Sequence, residues 1–354
     1  MIVLKAMEVI LTECDALFIP QVCAQPSAMN CLNLRLLGYK RVSHPGFKVC
    51  DQPFIEQFTC FESFHTYMAE RQPSHNPDPS ARHLRITDDQ LEGLVDEYHA
   101  WRVGKNPEAE YERARRAMTL FLDFLGSGAF FRQVAKDHGC VESTAHHYCN
   151  EVAEFFYDIS PNHVSLPNPE ELQNLAVPVF DNEAILFVDG VIIPIQQPDN
   201  AGNAYYCGRP GKVCHSLNVQ IAVDKFGVIR WIVTGPTGAS HDKTALQWSR
   251  TFMNFLENLP PPYVVIGDGA YQGIRHNLLT PFRGPLNQEQ LDFNNRVSSA
   301  RQVVERSIGA LQIKWRALQH KENRLPAKIT VDFACRCCIA AAVLHNRYTN
   351  YIAR

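Results

Sequence analysis

Three carboxylates stand where this sequence could do chemistry. Asp189 follows the apolar run Ile185-Leu186-Phe187-Val188, and Asp268 follows Tyr263 to Gly267. Each run reads as a buried strand, so each acid ends or interrupts an apolar strand. Glu305 lies 37 positions after Asp268, beside Val304 on a segment of helical spacing. If the two strands are adjacent and parallel, Asp189 and Asp268 meet at the edge where open α/β sheets bind ligands. Like charges gathered there repel unless something positive neutralises them. Hard oxygen ligands suit Mg²⁺ or Mn²⁺, and carboxylates holding two such ions about 3.5–4 Å apart suit in-line attack on a phosphodiester. Each acid also has a plainer reading. Asp189-Gly190 and Asp268-Gly269 are turn dipeptides, and Glu305 can pair with Arg301 one turn earlier, a surface pair worth about 0.3–0.5 kcal/mol.

Specific elements must bring these acids together. "AILFVDGVIIPI" reads as a strand, and "VCHSLNVQIAVD" and "GVIRWIVTG" flank the hairpin signal Asp224-Lys225-Phe226-Gly227. "SHDKTALQWSRTFMNFLENL" reads as one helix, capped by Ser240, with Asp242 in its first turn and Leu246, Phe252, Phe255 and Leu256 as its stripe. The strand ending at Asp268 follows. "SSARQVVERSIGALQIKWRAL" then gives a helix with Val304, Ile308, Leu311, Trp315 and Leu318 on one side, and "ITVDFACRCCIAAAVLHNRY" a helix apolar enough to be buried. An antiparallel meander followed by a right-handed crossover puts the first and fourth strands side by side at the sheet centre. This predicts an α/β domain over residues 180–350, ribonuclease-H-like, with a mixed sheet and flanking helices.

Residues 1–85 have no readable role. "RQPSHNPDPSARH" (Arg71 to His83) reads as a linker. A helical domain over residues 86–160 begins with a cap at Asp88-Asp89 and runs through Leu91, Leu94, Val95 and Tyr98, then through Ala117, Leu120, Phe121, Phe124 and Leu125 to a stop at Gly126-Ser127-Gly128. A short helix from Phe131 to Lys136, the turn Asp137-His138-Gly139-Cys140 and a second helix from Glu142 match a helix-turn-helix. Its second helix would offer Ser143, Thr144, His146 and His147 to phosphates and base edges. An ordinary helical hairpin is the alternative.

Composition sets limits. The chain has 354 residues and a formal net charge of −3. From Ala270 onward there are 13 lysines and arginines against 5 acids, leaving 21 basic and 32 acidic residues in the remainder. That asymmetry points to a polyanion at one face. There is no long apolar run for a membrane span, and the charged start argues against a secretory signal. Twelve cysteines, about 3% of the chain, are too few for a disulfide scaffold; a reducing compartment is expected. Cys335, Cys337 and Cys338 read as helix core. In "YYCGRPGKVCHSLN", Arg209 and Lys212 flank the meander, but the spacing is not that of a P-loop. "GDGAYQG" is no dinucleotide fingerprint, since a carboxylate would sit where pyrophosphate must bind. His215 and His241 are candidate site residues, each more often a surface or core histidine.

"FVDGVIIPI", "GRPGKVCHSLNVQIAVDKFGVIRWIVTGPTGASHDKTAL", "VVIGDGAYQG", "VVERSIGALQIKWRAL" and "AAAVLHN" together resemble the Harbinger-type transposases of the DDE superfamily and their domesticated relatives, from Asn182 to Asn346. The resemblance implies a nuclease that cuts and joins DNA at element ends with two divalent ions, Mg²⁺ or Mn²⁺, held by Asp189, Asp268 and Glu305. It matches Asp242 to a further acid, expected to be structural or supporting, with His241 beside it unassigned. Arg209, Lys212, Arg301, Arg306, Lys314 and Arg316 are the expected contacts to the DNA backbone. The implied partners are terminal-repeat and target DNA, a Myb-like accessory protein and further copies of the chain, with no membrane. The implied location is the nucleus, or the cytoplasm until a partner escorts the protein. Two departures stand out: Val191-Ile192 where the family usually has Thr-His, and Gly269-Ala270-Tyr271-Gln272 where a Ser-Gly-Tyr-Pro-like run is usual. Two further classes remain: a catalytically inactive DNA-binding or scaffold protein of the same descent, and a ribonuclease or repair nuclease on the same fold.

Overall fold

The computed structural model describes residues 84–199, 202–209, 213–319, 324–327 and 330–349. Arg71 to His83 and Lys212 therefore lie outside the described residues. Helices lead: α1 (Asp88–Lys105), α2 (Tyr111–Ser127), α3 (Phe131–Asp137) and α4 (Glu142–Ile159). Thr87, not Asp88-Asp89, caps α1. Its hydroxyl accepts from the Gln90 amide while the Gln90 side chain accepts from the Thr87 amide, a reciprocal box that leaves the two aspartates to favour the helix dipole in the first turn. Gly128 ends α2 at φ 67°, and a Cβ there would meet the Arg316 backbone at 3.1 Å. Both the left-handed conformation and the close approach require glycine.

The sheet follows. Its strands are β1 (Val177–Val179), after the short helix α5 (Leu172–Leu175), then β2 (Asn182–Pro194), then β3 (Tyr206–Cys207), after the short helix α6 (Gly202–Tyr205), then β4 (Cys214–Val223) and β5 (Ile229–Val233). Two helices come next, α7 (Asp242–Gln247) and α8 (Arg250–Asn258), then β6 (Tyr263–Gly267) and β7 (Leu278–Leu279), and finally the long helices α9 (Gln288–Lys314) and α10 (Asp332–Tyr348). The order among described residues is β3-β4-β2-β6-β7, with β1 on β2 and β5 on β4. β2, β4 and β5 are antiparallel, whereas β6 returns parallel to β2. The protein is thus a mixed α/β structure with the first and fourth strands of the expected order adjacent. β1, β3 and β7 are additions too short to carry a periodic signal.

Two further readings change. The segment from Ser240 is not one helix: it breaks between α7 and α8, and Ser249 caps α8 by accepting from the Phe252 amide. Ser240 does not cap α7 either. His241 holds that position without a side-chain bond, and the Ser240 hydroxyl pairs with Thr237.

Each face of the sheet has its own core. On one face Phe187, Val191, Ile193, Val219 and Ile221 join Val297, Val304 and Leu311 of α9, the buried side of α10 and the aromatic residues of α2 and α4 in one cluster. Three such α9 side chains contribute roughly 5–9 kcal/mol of burial. Phe333 of α10 lies 5.7 Å from both Phe124 and Phe131, so the C-terminal helix joins the helical segment to the sheet. Cys337 and Cys338 are buried in α10 as free thiols. On the other face α7 and α8 cover Leu186, Val188, Trp231 and Val265. No helix among the described residues is long and apolar enough to cross a membrane.

Candidate active site

The parallel register of β2 and β6 ends at the pair Val188–Gly267. The next residue on each strand is an aspartate, so Asp189 and Asp268 leave neighbouring strands, about 4.8 Å apart, at one edge. They leave differently. Asp189-Gly190 is not a turn, since β2 continues to Pro194. Asp268 does begin a turn: its carboxylate accepts from the Ala270 amide and caps the 3₁₀ turn Gly269–Tyr271. That turn folds back so that the Tyr271 ring lies over Gly267, where a Cβ would meet it at 2.8 Å.

The third acid arrives on α9. A reciprocal cap between Asn287 and Gln290 starts this helix, and its buried stripe through Val297, Val304 and Leu311 leaves Arg301 and Glu305 one turn apart beside the β2 edge. Alternation along β2 puts Asp189 on the same face as Val191, toward α9. Arg301 donates to Asp189 at 3.1 Å and approaches Glu305 at 3.4 Å. The pairing of Glu305 with Arg301 and the gathering of the acids therefore occur together. Burial pushes the Asp189 carboxyl up from its usual range; Arg301 pulls it down and the Asp268 charge pushes it up again. Glu305, whose side chain is 53% exposed, is raised as well: partial burial of its carboxyl lifts it, Arg301 opposes, and the charges of Asp189 and Asp268 add to the rise, all screened by the solvent it meets. Both Asp189 and Glu305 feel the charge of Asp268.

Asp242 reaches the same edge from the opposite face. Its carboxylate accepts from Asn218 at 2.8 Å and from Arg209 at 3.3 Å. Asn218 and Gln220 are fully buried on β4, and the Asn218 carbonyl oxygen accepts from Gln220. Gln220 in turn accepts from the Tyr271 hydroxyl. A polar chain thus runs Tyr271–Gln220–Asn218–Asp242–Arg209, with the Ser240 carbonyl accepting from both Asn218 and Arg209. Gly190 makes room for it, because a Cβ there would stand 2.6 Å from the Gln220 amide nitrogen and 3.2 Å from Asp242. Burial holds the Tyr271 hydroxyl far above its usual range, helped by the charges of Asp189, Asp242 and Asp268.

Residues 188–346 match the family described as a DDE superfamily endonuclease. This stretch is a DDE superfamily endonuclease domain. It contains all four acids and agrees with the superfamily that the sequence blocks resemble. Over 230 residues, 64% of the chain and 64% of the relative, the protein is 25% identical to the "Putative nuclease HARBI1" of Mus musculus. Identity to the same-named protein of Xenopus laevis is 23% over 64% of the chain and 65% of the relative. For that of Rattus norvegicus it is 24% over 64% of each. The matched stretch therefore spans less than two thirds of these relatives. No solved structure matches the chain.

The donor chemistry of the endonuclease domain fits a hard divalent cation: carboxylates only, with Asp189 and Glu305 raised first by burial and then by the charge of neighbouring acids. Among the described residues no three His, Cys, Asp or Glu side chains already form a cage for one ion; Arg301 stands between Asp189 and Glu305 instead. The basic residues divide. Arg306 and Arg316 are exposed. Arg301 and Arg209 hold acids, and their side chains are 13% and 34% exposed. Lys314 turns inward to donate to the Tyr348 carbonyl, and burial lowers its pKa to about 8. On α4, Ser143, His146 and His147 face solvent and Thr144 is half-buried. His241 is exposed at the start of α7, and His215 packs edge-on to Tyr206. Sequence reasoning missed Asn218, Gln220 and Tyr271. The signal was present: two amides at i, i+2 in the apolar strand "LNVQIAV" share one face and need buried partners.

Proposed function

We propose that the protein is a transposase-derived DNA endonuclease of Harbinger-type descent whose site is Asp189, Asp268 and Glu305 on a ribonuclease-H-like domain. The observation that carries this reading is the β2–β6 register, which sets Asp189 and Asp268 side by side within reach of the Glu305 charge. Two Mg²⁺ or Mn²⁺ ions, held by these three carboxylates, would supply the charge neutralisation and water activation that phosphodiester attack needs. The chain's own residues do the rest. The Gly190 amide and Arg301 fix the Asp189 carboxylate, and the Ala270 amide fixes Asp268. Arg301 holds the acids together and is the guanidinium best placed to meet a phosphate once ions neutralise them.

DNA is held elsewhere in this reading. Helices α3 and α4 act as a helix-turn-helix, and the solvent-facing Ser143, His146 and His147 support that role, with Thr144 at its margin. Exposed Arg306 and Arg316 contact the backbone, together with Lys212. The protein works in the nucleus, as a homo-oligomer, with a Myb-like accessory protein. The test is Mn²⁺-dependent nicking of a terminal-repeat duplex alongside Mn²⁺ binding by calorimetry. Asp268→Asn should lose nicking and weaken Mn²⁺ binding while keeping DNA affinity. Nicking that survives this substitution would refute the assignment.

The Arg301 ion pairs favour a second reading, a domesticated DNA-binding protein that no longer cuts. It predicts that the wild-type chain binds DNA and neither nicks it nor binds Mn²⁺.

A further inference from the structure

Trp248, at the end of α7, is 64% exposed, unusual for the largest apolar side chain. It is not loosely placed. A Cβ on Gly235 would meet its six-membered ring at 2.5 Å, so the indole lies against the β5 exit loop with its other side open. It forms one wall of a cavity of about 300 Å³, which Tyr205 and the hydroxyl-bearing Thr237, Ser240 and Thr244 also line. That volume is at the low end for small-molecule pockets and suits one flat heterocycle. The cavity adjoins Asp242, because the carbonyl of Ser240 accepts from Arg209 and Asn218, both of which hold Asp242.

We propose that this cavity takes one unpaired nucleobase of a DNA strand lying across the acids. The base stacks on Trp248, a sequence-tolerant contact, and its polar edge meets the Thr237, Ser240 and Thr244 hydroxyls, which both donate and accept. Arg209, partly exposed beside the cavity, meets the adjoining phosphate. The inference rests on the DNA-endonuclease reading and adds to it a preference for ends with unpaired bases over blunt duplex.

The test titrates the full-length chain with a blunt duplex and with the same duplex carrying a short single-stranded overhang, reading anisotropy of labelled DNA and tryptophan emission. The overhang should bind more tightly and quench emission. Trp248→Ala should weaken overhang binding roughly 5- to 150-fold, the range of base–aromatic stacking, and leave blunt-duplex affinity unchanged. Trp248→Tyr should keep the preference and lose the quenching. Gly235→Val, which displaces the indole without removing it, should behave like Trp248→Ala. Equal binding of both DNAs by the wild type, or an unchanged preference in Trp248→Ala, would overturn the cavity assignment alone. Failure to bind either DNA would overturn the endonuclease reading with it.

Discussion

Tyr271→Phe isolates one hydrogen bond at the centre of the site. The ring is buried and lies over Gly267, and phenylalanine keeps those contacts. Only the hydroxyl is lost, and with it the donor to the Gln220 carbonyl oxygen. Gln220 is fully buried on β4 and its amide nitrogen is already committed to Asn218, so the side chain cannot rotate to repair the loss. An orphaned buried acceptor costs about 1–3 kcal/mol. At about 2–4 °C per kcal/mol in a domain of this size, melting should fall by about 2–12 °C. The same turn carries Asp268, whose carbonyl accepts from the Tyr271 amide. Loosening it should slow nicking while DNA affinity stays constant. The assay is calorimetric melting with single-turnover nicking, run as a double-mutant cycle with Gln220→Met. A coupling of about 0.5–3 kcal/mol is expected for partners in one network. Wild-type melting in Tyr271→Phe, or strict additivity with Gln220→Met, would refute the polar chain as a unit.

Gly190→Ala should cost about 1–3 kcal/mol by overpacking and abolish nicking, because the new methyl drives into the Gln220 amide and Asp242; retained activity would count against the close approach. Asp189→Asn should match or exceed wild-type stability at neutral pH while losing cleavage. Its carboxyl is raised in the fold, so it contributes a loss of stability as pH rises from the ordinary carboxyl range through its folded value, and asparagine removes that slope; melting curves from acid to neutral pH decide it. Lys314→Met should leave DNA affinity unchanged. It should also flatten the rise in stability above pH 8, which arises because the lysine releases its proton at a pKa of about 8 when folded, against 10.5 ordinarily. Arg306→Ala and Arg316→Ala should each reduce the salt slope of DNA binding by about 1, measured by anisotropy across salt concentrations.

The sequence alone determined the order of the longer elements, with Asp268 just past a strand end and Asp189 within an apolar strand. Both are local properties: apolar runs of strand length, turn residues between them and helical spacing afterward can be read without knowing what packs on what. The parallel pairing of β2 with β6 followed from crossover handedness. Short strands, the break between α7 and α8 and the Thr87 cap escaped because each depends on one or two residues choosing among near-equal local bonds. Tertiary structure alone decided which charges meet. Arg301 and Lys314 sit on one helix and look alike in sequence, yet one holds Asp189 and the other bonds the Tyr348 carbonyl. Asn218 and Gln220 are ordinary strand amides until Tyr271 and Asp242 arrive from segments dozens of residues away. The physical reason is that a buried polar group must find its partner wherever the fold brings one, and that choice is made by packing across the sheet rather than along the chain.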